Sequence, residues 1–183
     1  LETFHRDLIY TANTFFDSPD KEGKKREPLT VEAEVELNAN AKCRIIGICI
    51  ETRPDVLITT DLQHDDDKWL RRFRRWGVTR IQIGLQHTDN TILRKINRGH
   101  TREDAEWAIQ YLKDNGFKVD IHIMPDLPGS NPQIDTQMFD YLYTSDKLQP
   151  DQMKIYPCEV VPWTVIQRWH KEGIYQPYAQ TNE

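Results

Sequence analysis

Apolar positions change their period along this chain. From Glu2 to Phe16, Phe4, Leu8, Ala12 and Phe15 recur near helical spacing and predict a helix. Ser18 to Ala41 lose that pattern. They hold Pro19, Pro28 and the charged run Asp20–Arg26 and end in Asn38-Ala39-Asn40, which predicts a polar surface loop or insertion with a short helix near Glu32–Glu36. From Cys43 onward, strand and helix patterns take turns. Strands are expected at Arg44–Glu51, Thr79–Gln86, Lys118–Met124 and Gln152–Tyr156. Helices are expected at Asp66–Trp76, Asp89–Ile96, Thr101–Asn115, Gln133–Thr144 and Thr164–Glu172. This alternation predicts βαβ units and a parallel sheet. Local signals agree: Thr101 with Asp104 resembles a capping box, Asn115-Gly116 and Gly77 supply helix stops, and Trp69, Leu70, Phe73 and Trp76 form a core-facing stripe.

Strand parity carries the functional argument, because successive side chains point to opposite faces. Ile46, Ile48 and Ile50 oppose Gly47, Cys49 and Glu51; Ile81, Ile83 and Leu85 oppose Gln82, Gly84 and Gln86. Val119, Ile121 and Ile123 oppose Asp120, His122 and Met124; Met153 and Ile155 oppose Lys154 and Tyr156. A parallel sheet covered on both sides by helices is apolar on both faces. Here one face is polar or small, so it must reach a cavity or a ligand, since burying unpaired polar groups is costly. Ligand residues are expected at the strand carboxyl ends. Those ends read Glu51-Thr52-Arg53-Pro54-Asp55, Gly84-Leu85-Gln86-His87, Met124-Pro125-Asp126-Leu127-Pro128-Gly129 and Tyr156-Pro157.

Composition narrows the picture slightly. With 183 residues, 38% hydrophobic and 29% charged, the chain suits one domain or most of one. No run of about 18 apolar residues occurs, so no membrane span is expected. A net charge of -5 argues against nucleic-acid binding by this piece alone. Arg71, Arg72, Arg74 and Arg75 form a basic helix flank, read as a solvated outer face rather than a phosphate contact. Three cysteines, Cys43, Cys49 and Cys158, fit a reducing compartment and are read as small buried residues, not metal ligands. The first residue is Leu1, and the chain reads as a fragment of a longer protein.

Five ordered motifs carry a family resemblance from about Cys43 to Tyr178. They are Ile50–Asp55, Thr79-Arg80 with Ile83–Gln86, Asn97–Thr101, Gly116–Val119 with His122 and Met124–Pro128, and Lys154–Pro157. In order and spacing they resemble the Elongator catalytic-subunit family. The resemblance implies an α/β fold: a partial (β/α) TIM-like barrel of the radical-SAM type, with parallel strands and outer helices. Residues 1–183 would be part of that barrel, with the cluster-binding segment upstream and an acetyltransferase domain downstream. It implies a 4Fe–4S cluster with ligands outside this chain, S-adenosylmethionine and acetyl-CoA, used to build a carboxymethyl group on C5 of the tRNA wobble uridine. It also implies tRNA and Elongator-type subunits as partners, and the cytoplasm or nucleus as compartment. Another radical-SAM enzyme and a non-catalytic tRNA-binding scaffold are the competing readings.

By the same resemblance, Glu51 and Arg53 would line the S-adenosylmethionine pocket and Gln86 would touch that ligand. Arg98 and His100 would sit at its rim or hold the loop. His122, Asp126, Lys154 and Tyr156 would shape the lumen where acetyl-CoA reacts, with Asp126 also counted among the cofactor-binding residues and His122, Lys154 and Tyr156 as the catalytic ones. The sequence departs from the family at several positions. It has no closely spaced cysteine triplet; Gln82 and His87 stand where an acid and a small polar residue are usual; Lys95-Ile96 replace an acid and Thr; and Val160–Thr164 replaces an Arg-Gly stretch.

Overall fold

The computed structural model describes residues 1–23, 25–61 and 68–179. The chain divides into two compact units. One comprises Leu1–Ile50 and Asp65–Arg80, the other Glu51–His64 and Ile81–Glu183.

In the first unit, α1 (Glu2–Asn13), α2 (Val31–Asn38) and α4 (Lys68–Arg75) pack together; α3 belongs to the second unit. The face that α1 buries is not the expected one. His5 and Ile9 are buried, whereas Phe4, Leu8 and Phe15 stand exposed. The His5 ring lies 5.4 Å from that of Trp76 and bonds the Leu1 carbonyl, which turns the helix onto its histidine side. Of the expected polar insertion, residues 18–23 stay exposed, as a surface loop should, and the expected short helix forms as α2. Thr30 caps α2, Val31 is buried, and Glu34 is fully buried because Arg26 grips its carboxylate at 2.5 and 2.7 Å. A charge pair joins the buried Val31 in anchoring α2.

On α4, Leu70 and Trp76 beside it are buried, but Trp69 is 37% exposed and carries the Arg72 guanidinium over its ring at 5.3 Å. The four arginines lie exposed. Asp66 and Asp67, expected in this helix, fall outside the described residues. Gly77, at φ 77°, ends the helix in the left-handed region.

Four strands, β1 (Ile48–Thr52), β2 (Val78–Gln86), β3 (Lys118–Ile123) and β4 (Gln152–Ile155), form a parallel sheet in sequence order. The first strand is shorter than expected. Asn38 donates to the Ile45 carbonyl and accepts from the Ile45 amide, so residue 45 offers nothing to a ladder, and Ile46 is 87% exposed. The connections are α3 (Pro54–Asp61), α5 (Asn90–Lys95), α6 (Arg102–Asp114), α7 (Pro132–Thr144) and, after β4, α8 (Val165–Lys171).

Helix α3 has no counterpart in the periodicity. Pro54 opens it, as suits a residue lacking an amide hydrogen. The Thr101–Asp104 capping box forms in both directions. Ile81, Ile83, Leu85, Val119, Ile121 and Ile123 are fully buried, as parity requires, and so are Ala105, Ala108, Ile109 and Leu112 of α6 and Met138 of α7. Ile155 stays half-exposed, because β4 is an edge strand of this sheet. A second cluster buries Ile92, Leu127, Cys158 and Tyr175 beyond the strand ends. Of the cysteines only Cys158 is buried; Cys43 is partly covered and Cys49 exposed, since Cys49 lies on the polar face of β1.

Candidate functional site

All the site residues lie within the second unit. Gln82 of β2 is the centre of a polar row that crosses the sheet. Its Oε1 accepts from His122 Nε2 on β3 and from Lys154 Nζ on β4, each at 2.9 Å. Two donors on one oxygen fix which way the amide points. His122 and Lys154 are register partners across the β3–β4 pair, which is why they can share one acceptor. On the other side, His122 Nδ1 lies 3.4 Å from Glu51 Oε1 at the end of β1. Tyr156, just past β4, meets the His122 ring edge-on at 5.9 Å and is half-exposed. Four strands thus each place a polar side chain on one face.

A second group surrounds Gly84. Arg98 Nη2 donates to the Gly84 carbonyl at 2.9 Å. A Cβ on Gly84 would meet Arg98 Nη2 at 2.9 Å and Gln86 Nε2 at 3.1 Å, so only glycine lets both side chains lie over the strand. Arg53 pairs with Asp55 at 2.7 Å, and this pair packs on Gly99, beside Arg98. Burial, then the neighbouring Arg53 charge, lowers the Arg98 pKa from its ordinary value; Asp55 and Glu51 oppose that shift. Arg98 Nε is buried with no hydrogen-bond partner among the described residues. Arg98, Gln86, Lys95, Met124, Ile166 and Trp169 are among the residues lining a cavity of about 630 Å³. Tyr156 lines a neighbouring cavity of about 420 Å³ that shares Met124, Thr164 and Ile166 with it.

Two expected residues have structural partners. His100 is buried and bonds the Leu85 carbonyl at 3.2 Å, backing the end of β2; burial lowers its pKa despite that bond. Asp126 stands apart from the polar row. Its carboxylate accepts the Tyr178 and Ala179 amides, each at 3.1 Å, and its carbonyl accepts the Tyr175 hydroxyl at 2.6 Å. Sequence reasoning passed over Gln82, although parity alone places it on the polar face. It also missed Asp135, a buried carboxylate on α7 whose partners are distant in the chain.

Charged and amide groups at the strand ends line a cavity at the carboxyl edge of a parallel α/β sheet, which is where folds of this class bind their ligands. The chain belongs to the Radical SAM superfamily, whose pattern matches residues 5–141. It is 38% identical over 156 residues to a tRNA uridine(34) acetyltransferase of Methanocaldococcus infernus, covering 85% of this chain and 28% of that protein. It is 32% identical over 149 residues to Elongator complex protein 3 of Schizosaccharomyces pombe, covering 81% and 26%. A solved structure of the archaeal Methanocaldococcus infernus Elp3, with an N-terminal deletion, superposes with a TM-score of 0.82 at 34% identity, covering 97% of this chain and 37% of that one. The chain therefore spans about a quarter to a third of the length of these relatives.

The superfamily implies S-adenosylmethionine and a 4Fe–4S cluster. The unpartnered Arg98 Nε, at a cavity that Gln86 also lines, fits a ligand that carries a carboxylate, as S-adenosylmethionine does. Among the described residues, no group of three or more His, Cys, Asp or Glu side chains is arranged to hold a metal ion. No helix among them is long and apolar enough to cross a membrane.

Proposed function

We propose that this chain is the ligand-holding part of an enzyme that builds a carboxymethyl group on the wobble uridine of tRNA, using S-adenosylmethionine and acetyl-CoA. The observation that carries the reading is the convergence of Glu51, Gln82, His122 and Lys154, one from each of four strands, on one face. A scaffold has no need of it. The tRNA uridine(34) acetyltransferase likeness favours this substrate over other radical-SAM substrates.

Arg53 and Arg98 would meet the carboxylate of S-adenosylmethionine, Glu51 its ammonium group, and Gln86 its ribose hydroxyls. When bound with the reduced cluster, S-adenosylmethionine supplies the radical that starts the chemistry. Lys154, whose Nζ is held by Gln82, would supply a positive charge to an acetyl-CoA thioester bound over this row. His122, between Glu51 and Gln82, can hold or move a proton at Nδ1. Tyr156 offers a hydroxyl at the edge of the same row. Asp126, with its carboxylate on the Tyr178 and Ala179 amides, is left out of the ligand set. Transfer RNA is the macromolecular substrate, and Elongator-type subunits are the protein partners. Three free cysteines accord with a reducing compartment, and we place the protein in the cytoplasm.

In the full-length protein, Glu51→Ala and Arg53→Ala should each weaken S-adenosylmethionine binding about tenfold, or about 1.4 kcal/mol. Carboxymethyluridine formation on tRNA should fall at least as far. Unchanged affinity and unchanged product in both variants would overturn the assignment.

A further inference from the structure

Gln86 is held in an unusual backbone state. Its φ is 69°, and the His87 amide donates back to the Leu85 carbonyl at 2.9 Å. A bond closing over one residue at positive φ is the rare, strained form of γ-turn. Such a turn persists only where its surroundings hold it, and here they are visible. His87 is fully buried; its Nδ1 accepts the Asp89 amide at 2.9 Å, so its ring hydrogen lies on Nε2 and points at Asp135 Oδ1, 3.0 Å away. Asp135 also accepts the Ser130 and Tyr178 hydroxyls and, at 2.7 Å, the amide of Asp126. Asp126 is itself left-handed, at φ 62°. One buried carboxylate thus clamps the turns that follow both β2 and β3. Its pKa is net lowered: burial raises it, but the four donors outweigh burial and keep it ionised.

We propose that Asp135, acting through His87, is a positioning residue that aims the Gln86 side chain into the cavity beside Arg98. This rests on the reading of that cavity as the S-adenosylmethionine site. Asp135 touches no ligand in this arrangement; it fixes the strained turn from which Gln86 projects. The Gln86 carbonyl is tied down as well, accepting the Met124 amide at 2.8 Å, so the turn has little freedom apart from what the His87–Asp135 link removes.

The test is a double-mutant cycle in the full-length protein, read as the dissociation constant of S-adenosylmethionine by calorimetry. Gln86→Ala and Asp135→Asn should each weaken binding about fivefold, and the double variant should be within about twofold of Gln86→Ala, because the two act through one contact. Losses that multiply, or an Asp135→Asn protein that binds normally, would overturn the proposal. Should Asp135→Asn fail to fold, the link is cut from its other end: His87→Gln, which keeps a donor, should retain more affinity than His87→Leu, and equal affinities would count against it. If Gln86→Ala alone leaves binding unchanged, the cavity assignment itself is wrong, a separate outcome from failure of the clamp.

Discussion

Replacing Gly84 by alanine adds one methyl group at the most crowded point of the candidate site. The new Cβ would lie 2.9 Å from Arg98 Nη2 and 3.1 Å from Gln86 Nε2, where ordinary contact begins at 3.4 Å. The backbone accepts the change, because Gly84 is not among the left-handed glycines. Both obstructing atoms are the ends of flexible side chains, so they must retreat by a few tenths of an ångström, up to about half. Stability should change little. Weakening the bond from Arg98 to the Gly84 carbonyl costs part of the roughly 1.5–3 kcal/mol of a charged hydrogen bond. Loss of glycine's freedom in the unfolded chain returns about 0.4–1 kcal/mol. Ligand affinity should suffer more. Losing most of one charge-assisted hydrogen bond to the ligand, roughly 1.5–3 kcal/mol, predicts a drop of about tenfold or more. Calorimetric titration of the full-length protein with S-adenosylmethionine, beside a thermal melt, measures both. A folded Gly84→Ala protein with unaltered affinity would refute the placement of Arg98 and Gln86 as ligand contacts.

Two further substitutions probe the polar row and the first unit. Gln82→Leu keeps the bulk but removes the acceptor shared by His122 and Lys154; product formation should drop more than tenfold with a shift of only a few degrees in Tm, and retained turnover would show that the bridge is idle. Glu34 should make stability depend on acid. Arg26 above all, with the Leu29 amide and Asn13, lowers its pKa to about 2 against the burial that opposes them. A depressed carboxylate stabilises the fold above its unfolded value of 4.5, and that contribution fades as pH falls towards about 2. Glu34→Gln should therefore cost about 3 kcal/mol at neutral pH and flatten the loss of stability between those limits, as denaturant melts at several pH values would reveal. A parallel displacement of the two stability curves would exclude Glu34 as the titrating group.

The sequence by itself determined the alternation of strands and helices, the apolar face of β2 and β3, the Thr101 capping box, and the membership of Glu51, His122 and Lys154 in one polar face. These follow from period-two and period-3.6 patterning and from caps that act over three residues, all local physics. Only the tertiary structure decided that the polar faces meet around Gln82, because whether register brings His122 and Lys154 onto one oxygen depends on strand pairing. It also decided that α1 buries His5 and Ile9 rather than its phenylalanines, and that Arg26, itself partly exposed, holds the buried Glu34 of α2. Nor could periodicity reveal the Asp135 clamp, whose donors His87, Asp126, Ser130 and Tyr178 span 92 positions. A buried carboxylate is chosen by its donors, and donors are gathered by folding in space, not by spacing along the chain.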